Sequence, residues 1–131
     1  PLCSPMLFNG PKPLSSLADL RHHVLLHDLS RAAWKNWLKH VGVSGVNVNQ
    51  GPVFSHSMLV LQAAALGQGI ALGNTVLARP ELDAGRLIMP FEEKVESRDA
   101  FYLVCEESQA ELGKIAAFRE WILGLVEEEQ E

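Results

Sequence analysis

Serine, histidine and aspartate lie close enough in this sequence to raise the question of nucleophilic catalysis. Ser55, His56 and Ser57 are consecutive, and Asp28 follows His27 upstream. A hydrolytic serine needs a base within hydrogen-bond reach and a third group that orients the base; in an α/β scaffold it stands on a strained G-x-S-x-G turn. No such elbow occurs here. Neighbours in an extended segment face opposite ways, so Ser55 and His56 do not make a nucleophile–base pair. No catalytic residue is assigned, and no enzyme activity is expected. Metal chemistry fails on spacing. His22, His23 and His27 crowd together without a cysteine or carboxylate set at ligand spacing, and Cys3 and Cys105 match no C-x-x-C pattern. The histidines read as surface or loop residues, the cysteines as reduced core thiols of a cytoplasmic protein, and neither metal nor cofactor is expected.

The remaining chemistry is ligand capture by backbone amides. Gly51 to Gly73 reads GPVFSHSMLVLQAAALGQGIALG, a pattern of strand, turn, helix, glycine turn and strand. In an open parallel sheet, ligands gather outside the carboxyl ends of the strands, where helices begin. The first amides of such a helix, those of Ser57 and Met58, lack intrahelical partners, and with the helix dipole they suit a carboxylate or phosphate. The hydroxyls of Ser55 and Ser57 add donors. The same serines can equally cap an ordinary helix, and both readings stand on the residues alone. The glycines of Gly67-Gln68-Gly69 follow the helix, so they end it and do not cradle a phosphate.

The elements that must hold these groups follow from periodicity. Pro1 to Leu7, with two prolines, reads as a crossover strand leading into a turn. Ser16 is a helix cap for Leu17 to Leu20, and His23 to Leu26 is a buried strand ending at His27-Asp28. Trp34, Trp37, Leu38 and Val41 fall on one face of a helix from Ser30 to His40, which Gly42 stops. Val46 and Val48 alternate with Asn47 and Asn49, which predicts a strand. A helix over Ser57 to Leu66 and a strand over Ile70 to Leu72 come next. Asn74 or Thr75 caps a short helix through Ala78, before Pro80. Leu87 to Met89 and Phe101 to Cys105 read as strands. Leu112, Ile115, Phe118, Ile122 and Leu125 mark a long closing helix, and the Glu127 to Glu131 run reads as a frayed end. Alternating strands and helices predict an α/β fold with a mostly parallel sheet flanked by helices.

Bulk properties narrow the partners. With 131 residues, 47% hydrophobic and 21% charged, the chain is long enough to bury a real core, and no apolar run approaches membrane-spanning length. The net charge is −5 and the 11 basic residues are scattered, so this stretch does not offer a nucleic-acid surface of its own. The chain opens at Pro1 with no initiator Met, and it is expected to be a fragment whose beginning lies elsewhere.

Phe54-Ser55, the Leu-rich helix with Gln62-Ala63-Ala64, and Gly67-Gln68-Gly69-Ile70-Ala71-Leu72-Gly73 together resemble the effector-binding domain of LysR-type transcription regulators. Within that family the resemblance is to the glycine-cleavage activators and β-lactamase regulators. Cys3-Ser4-Pro5, Leu26-His27-Asp28 with Trp34 and Trp37-Leu38, Leu82-Asp83-Ala84-Gly85-Arg86-Leu87, Tyr102-Leu103-Val104 and Phe118-Arg119-Glu120-Trp121-Ile122 extend it over nearly the whole chain. The resemblance implies one lobe of a type 2 periplasmic-binding-protein-like fold, residues 6–97, followed by a returning strand and closing helix, residues 98–131, with that helix belonging to the missing lobe. It implies a small organic effector held between lobes, dimers or tetramers, and DNA binding only through an absent N-terminal winged helix-turn-helix, with no membrane contact. Carried onto this sequence, the effector-binding candidates are Phe54, Ser55, His56 and Ser57, then His27, Asp28 and Trp34, then Gly73 and Asn74. Phe54 and Trp34 would form apolar wall. His56 departs from the acidic residue that relatives often carry there, so a copied ligand preference does not follow. A transport solute-binding protein of the same fold and a small α/β hydrolase are the rival expectations. The apolar stripe of the closing helix is expected to fold back on its own lobe or bury itself in a second copy.

Overall fold

The computed structural model describes residues 1–96 and 100–128, with no account of the side chains of 127 and 128. It divides into two units, Pro1–Val95 and Glu96–Glu131. In chain order the elements are helix α1 (Pro5–Phe8), a 3-10 turn (Leu17–His22), strand β1 (Leu25–Asp28), helix α2 (Ala32–His40), strand β2 (Val53–Phe54), helix α3 (Ser57–Ala65), strand β3 (Ile70–Ala71), helix α4 (Thr75–Asp83), a second 3-10 turn (Glu107–Gln109) and helix α5 (Gly113–Glu128).

The sheet of the first unit has strand order β2-β1-β3, with both neighbours parallel to β1. Alternation along β1 sends side chains to opposite faces. Leu26 and Ala71 pack with Val60, Leu61 and Ala64 of α3 and Ala78 of α4, whereas Leu25 and Ile70 pack with Trp34, Trp37 and Leu38 of α2. The helix after β1 therefore covers one face and the helix after β2 covers the other. The crossover segment at the start of the chain is antiparallel: Leu2 bridges Ala71 and Cys3 bridges Ile88. Trp34 and Trp37 meet edge to face with centroids 5.7 Å apart, and the Trp34 indole N–H donates to the Leu26 carbonyl at 2.9 Å, which satisfies its one polar atom inside the core.

Several expectations change. Val46 and Val48 form no strand; the pairing strand is Val53–Phe54, beyond Pro52. The Arg31 guanidinium reaches the carbonyls of Val48, Gln50 and Gly51, at 3.4, 2.9 and 2.9 Å, so this loop satisfies its backbone with a side chain and not with a ladder. Helix α4 does not stop before Pro80 but runs through it to Asp83. Pro80 removes one helical hydrogen bond, yet Leu77, Ala78 and Leu82 lie against the core and hold the turn in register. Leu87 to Met89 contributes only the bridge at Ile88. Phe101 to Cys105 is irregular and exposed, since no strand lies among the described residues of the second unit to pair with it. Cys3 is buried as expected, but Cys105 is exposed. On α5, Phe118 and Trp121 lie 5.6 Å apart; both are exposed, as is Leu125.

Candidate functional site

Because α2 and α3 leave β1 and β2 toward opposite faces, the carboxyl ends of these two adjacent strands lie at the position where open α/β sheets accept ligands. Asp28 ends β1, and Phe54 ends β2 in register with it. The next residues, Ser55 and His56, are exposed and extended, and α3 begins at Ser57. This edge brings Asp28, Ser55, His56 and Ser57 together.

The bonding within the group differs from simple capping. Neither Ser55 nor Ser57 caps α3: the cap position is His56, which makes no side-chain cap bond. The Ser55 hydroxyl lies 2.8 Å from His56 Nδ1, and the Ser57 hydroxyl donates to Asp28 Oδ2. Among the described residues, no acceptor meets the amides of Ser57 and Met58; the first bonded amide is that of Leu59, to the His56 carbonyl at 3.0 Å. Asp28 Oδ1 is enclosed and has no partner either. Two donors and one carboxylate oxygen thus stand unpaired at one helix start.

The other candidates fall elsewhere. Phe54 is half-buried and packs on the α3 side of the core. Trp34 has no accessible surface, so it is a core residue of the lobe and not pocket wall; its indole N–H is spent on Leu26. His27 is also inside, 1% exposed, which corrects its reading as a surface or loop histidine. Its Nε2 donates to the Gln50 carbonyl at 2.8 Å, and Nδ1 is unpartnered. It faces away from Asp28 because the two are successive residues of a strand. Gly73 sits at the end of β3, where a Cβ would come 2.4 Å from Leu2 Cδ1, so its role is close packing. Asn74 Oδ1 accepts from the Val76 amide at 2.8 Å and caps α4.

Sequence reasoning missed Leu29 and Arg31. Leu29, exposed in the turn between β1 and α2, holds φ +57, a left-handed conformation costing a bulky residue about 1–3 kcal/mol. Its amide donates to the Phe54 carbonyl at 2.9 Å, which ties the two strand ends together. No sequence signal marks it. Arg31 carried a signal: a cation at a helix start opposes the dipole, so its charge had to be used outside the helix.

Residues 1–126 match the LysR substrate binding domain. The chain belongs to this family. It is 56% identical, over all 131 residues, to the glycine cleavage system transcriptional activator of Escherichia coli K12, of which it covers 43%. It is 31% identical over 126 residues to the transcriptional activator AmpR of Providencia stuartii, covering 96% of this chain and 41% of that protein. The solved effector domain of the regulator AmpR from Pseudomonas aeruginosa superposes with a TM-score of 0.77 at 29% identity, covering 98% of this chain and 59% of that one. The chain spans less than half the length of the curated relatives it matches. These LysR relatives fall in the subgroup that the residues resembled. They are transcription regulators, and the transport reading finds no support among them.

Proposed function

We propose that this chain is the effector-sensing part of a LysR-type transcription regulator, a non-enzymatic cytoplasmic protein, and that the crevice at Asp28 and Ser55–Ser57 is one wall of its effector site. The second wall comes from a lobe outside this chain, to which the closing helix α5 belongs. DNA binding resides in a separate N-terminal winged helix-turn-helix, and the regulator works as a dimer or tetramer. The 56% identity to the glycine cleavage activator supports control of the same class of genes.

The observation that carries this reading is the pair of unpaired amides at Ser57 and Met58, outside the carboxyl ends of β1 and β2. They suit an anionic group. Asp28, beside them, would repel a bare anion, and a hydroxyl or ammonium next to the anionic group offsets that charge; its Oδ1 is enclosed and out of a ligand's reach. The effector class that fits is a small organic acid carrying a hydroxyl or ammonium next to its anionic group.

Two substitutions separate amide from hydroxyl. Proline is tolerated at the first position of a helix and deletes the N–H there. In the full-length regulator, Ser57→Pro is expected to abolish the thermal stabilisation that hydroxy- and amino-carboxylates confer. Ser57→Ala, which keeps the amide, is expected to weaken it only partly. A screen in which neutral ligands stabilise the protein and carboxylates never do would overturn the anion reading, as would full binding by Ser57→Pro.

A further inference from the structure

At the opposite edge of the sheet, where β1 begins and the loop from α2 returns toward β2, lies a depression of about 360 Å³ that the effector reading does not use. That volume falls in the range of small-molecule pockets, about 300–1,000 Å³. We propose that it is a second ligand site, for a small organic acid with a short apolar body.

The chemistry follows from its lining. Half-exposed Val24 and partly buried Val46 give it apolar surface over the buried Leu20 and Leu25, and no carboxylate is part of its lining, the nearest being Asp19 beside His22 and His23. The rim carries spare donors. Arg21 Nε is engaged with His22 Nε2 at 3.1 Å, while among the described residues its terminal nitrogens meet no acceptor. Asn47 Oδ1 accepts from the Asn49 amide at 3.0 Å, and among the described residues its NH₂ meets no acceptor. A guanidinium with two open nitrogens is suited to pair with a carboxylate in a fork, and the neighbouring floor would cover a short aliphatic tail.

The site also has a path to the rest of the lobe. Gln50 and Gly51 form part of its wall. Their carbonyls are the ones held by His27 and Arg31, and the chain runs from them directly into β2 and Ser55. An occupant that moves this loop would act on the strand whose far end carries the effector crevice.

The test is an amide-shift titration of the full chain by NMR, with 4-methylpentanoate as probe and its neutral isostere 4-methylpentanamide as control. The acid is expected to produce saturable shifts at Val24, Asn47 and Gly51, and the amide none. Arg21→Gln, at an exposed position, is expected to weaken the acid about tenfold by removing a charge-assisted pair. Equal binding of acid and amide, undiminished binding by Arg21→Gln, or the absence of saturable shifts at those three amides would overturn the proposal. Shifts confined to Ser57 and Met58 would also overturn it, yet would leave the effector reading of that edge intact.

Discussion

Gly51→Ala tests how the strand that carries the crevice is held. Gly51 has φ +93, and a Cβ there would stand 2.0 Å from the Leu25 carbonyl oxygen and 3.1 Å from its carbon. Both atoms are backbone of β1 and its approach, so no side chain can swing aside. The left-handed conformation alone costs an alanine about 1–2 kcal/mol. Relieving the clash requires β2 to retreat from β1, which stretches the His27 amide to Pro52 carbonyl bond (3.0 Å), the His27 Nε2 to Gln50 bond (2.8 Å) and the Arg31 to Gly51 bond (2.9 Å). Loss of one or two of these partly buried bonds adds about 1–3 kcal/mol, for a total of about 2–5 kcal/mol. Gly42→Ala is the matched control. Gly42 has φ +71 and nothing within 4 Å of its Cβ position, so it reports the conformational cost alone. Urea unfolding read by the fluorescence of buried Trp34 and Trp37, in a background with exposed Trp121 changed to Phe, compares the two. If Gly51→Ala falls within about 1 kcal/mol of Gly42→Ala, the close approach of β2 to β1 is not what the sheet depends on.

Two further outcomes follow from the core. Trp34→Phe keeps one aromatic ring but leaves a void and the Leu26 carbonyl without its indole donor, and a loss of at least about 1–3 kcal/mol is expected in the same urea assay read by Trp37; an unchanged midpoint would show that the bond is replaceable. The cysteines should separate cleanly: at pH 8 a thiol reagent is expected to modify exposed Cys105 at once and buried Cys3 only on unfolding. Burial pushes the Cys3 thiol from 9.0 up to about 11, so its protonated form is favoured in the fold. The stabilisation it gives is complete below about pH 9 and declines as pH rises toward 11, where the folded thiol also ionises. An alkaline loss of stability in that window that persists in Cys3→Ala would contradict this.

What was legible in the sequence was what short-range periodicity encodes. The Trp34-Trp37-Leu38 spacing marked the buried face of α2, and the glycine turn after α3 marked its end, because those signals act within a few residues. The group at Asp28 and Ser55–Ser57 was legible because parallel topology places strand ends and helix starts on one edge. Errors arose where a distant partner decided the outcome. Val46 and Val48 alternate like a strand, but the Arg31 side chain occupies the carbonyls of Val48, Gln50 and Gly51. Pro80 reads as a stop, yet Leu82 beyond it packs on the core. Trp34 and His27 were placed at the crevice by the family resemblance, whereas alternation along β1 and the helical face of α2 turn them inward.

An effector can switch this lobe only by the part of its binding that differs between open and covered states. On an open edge the Ser57 and Met58 amides exchange water for ligand oxygen, a net gain of about 0.5–1.5 kcal/mol per bond. When a second wall excludes water, the same bonds act in a lower dielectric. Driving a two-state equilibrium from 1:99 to 99:1 takes about 5.5 kcal/mol of differential affinity. Two amides supply about 1–3 kcal/mol of that, so under the proposed function the opposite wall must contribute the remainder. A ligand that engages Ser57, Met58 and Asp28 alone is then a weak binder and a poor switch.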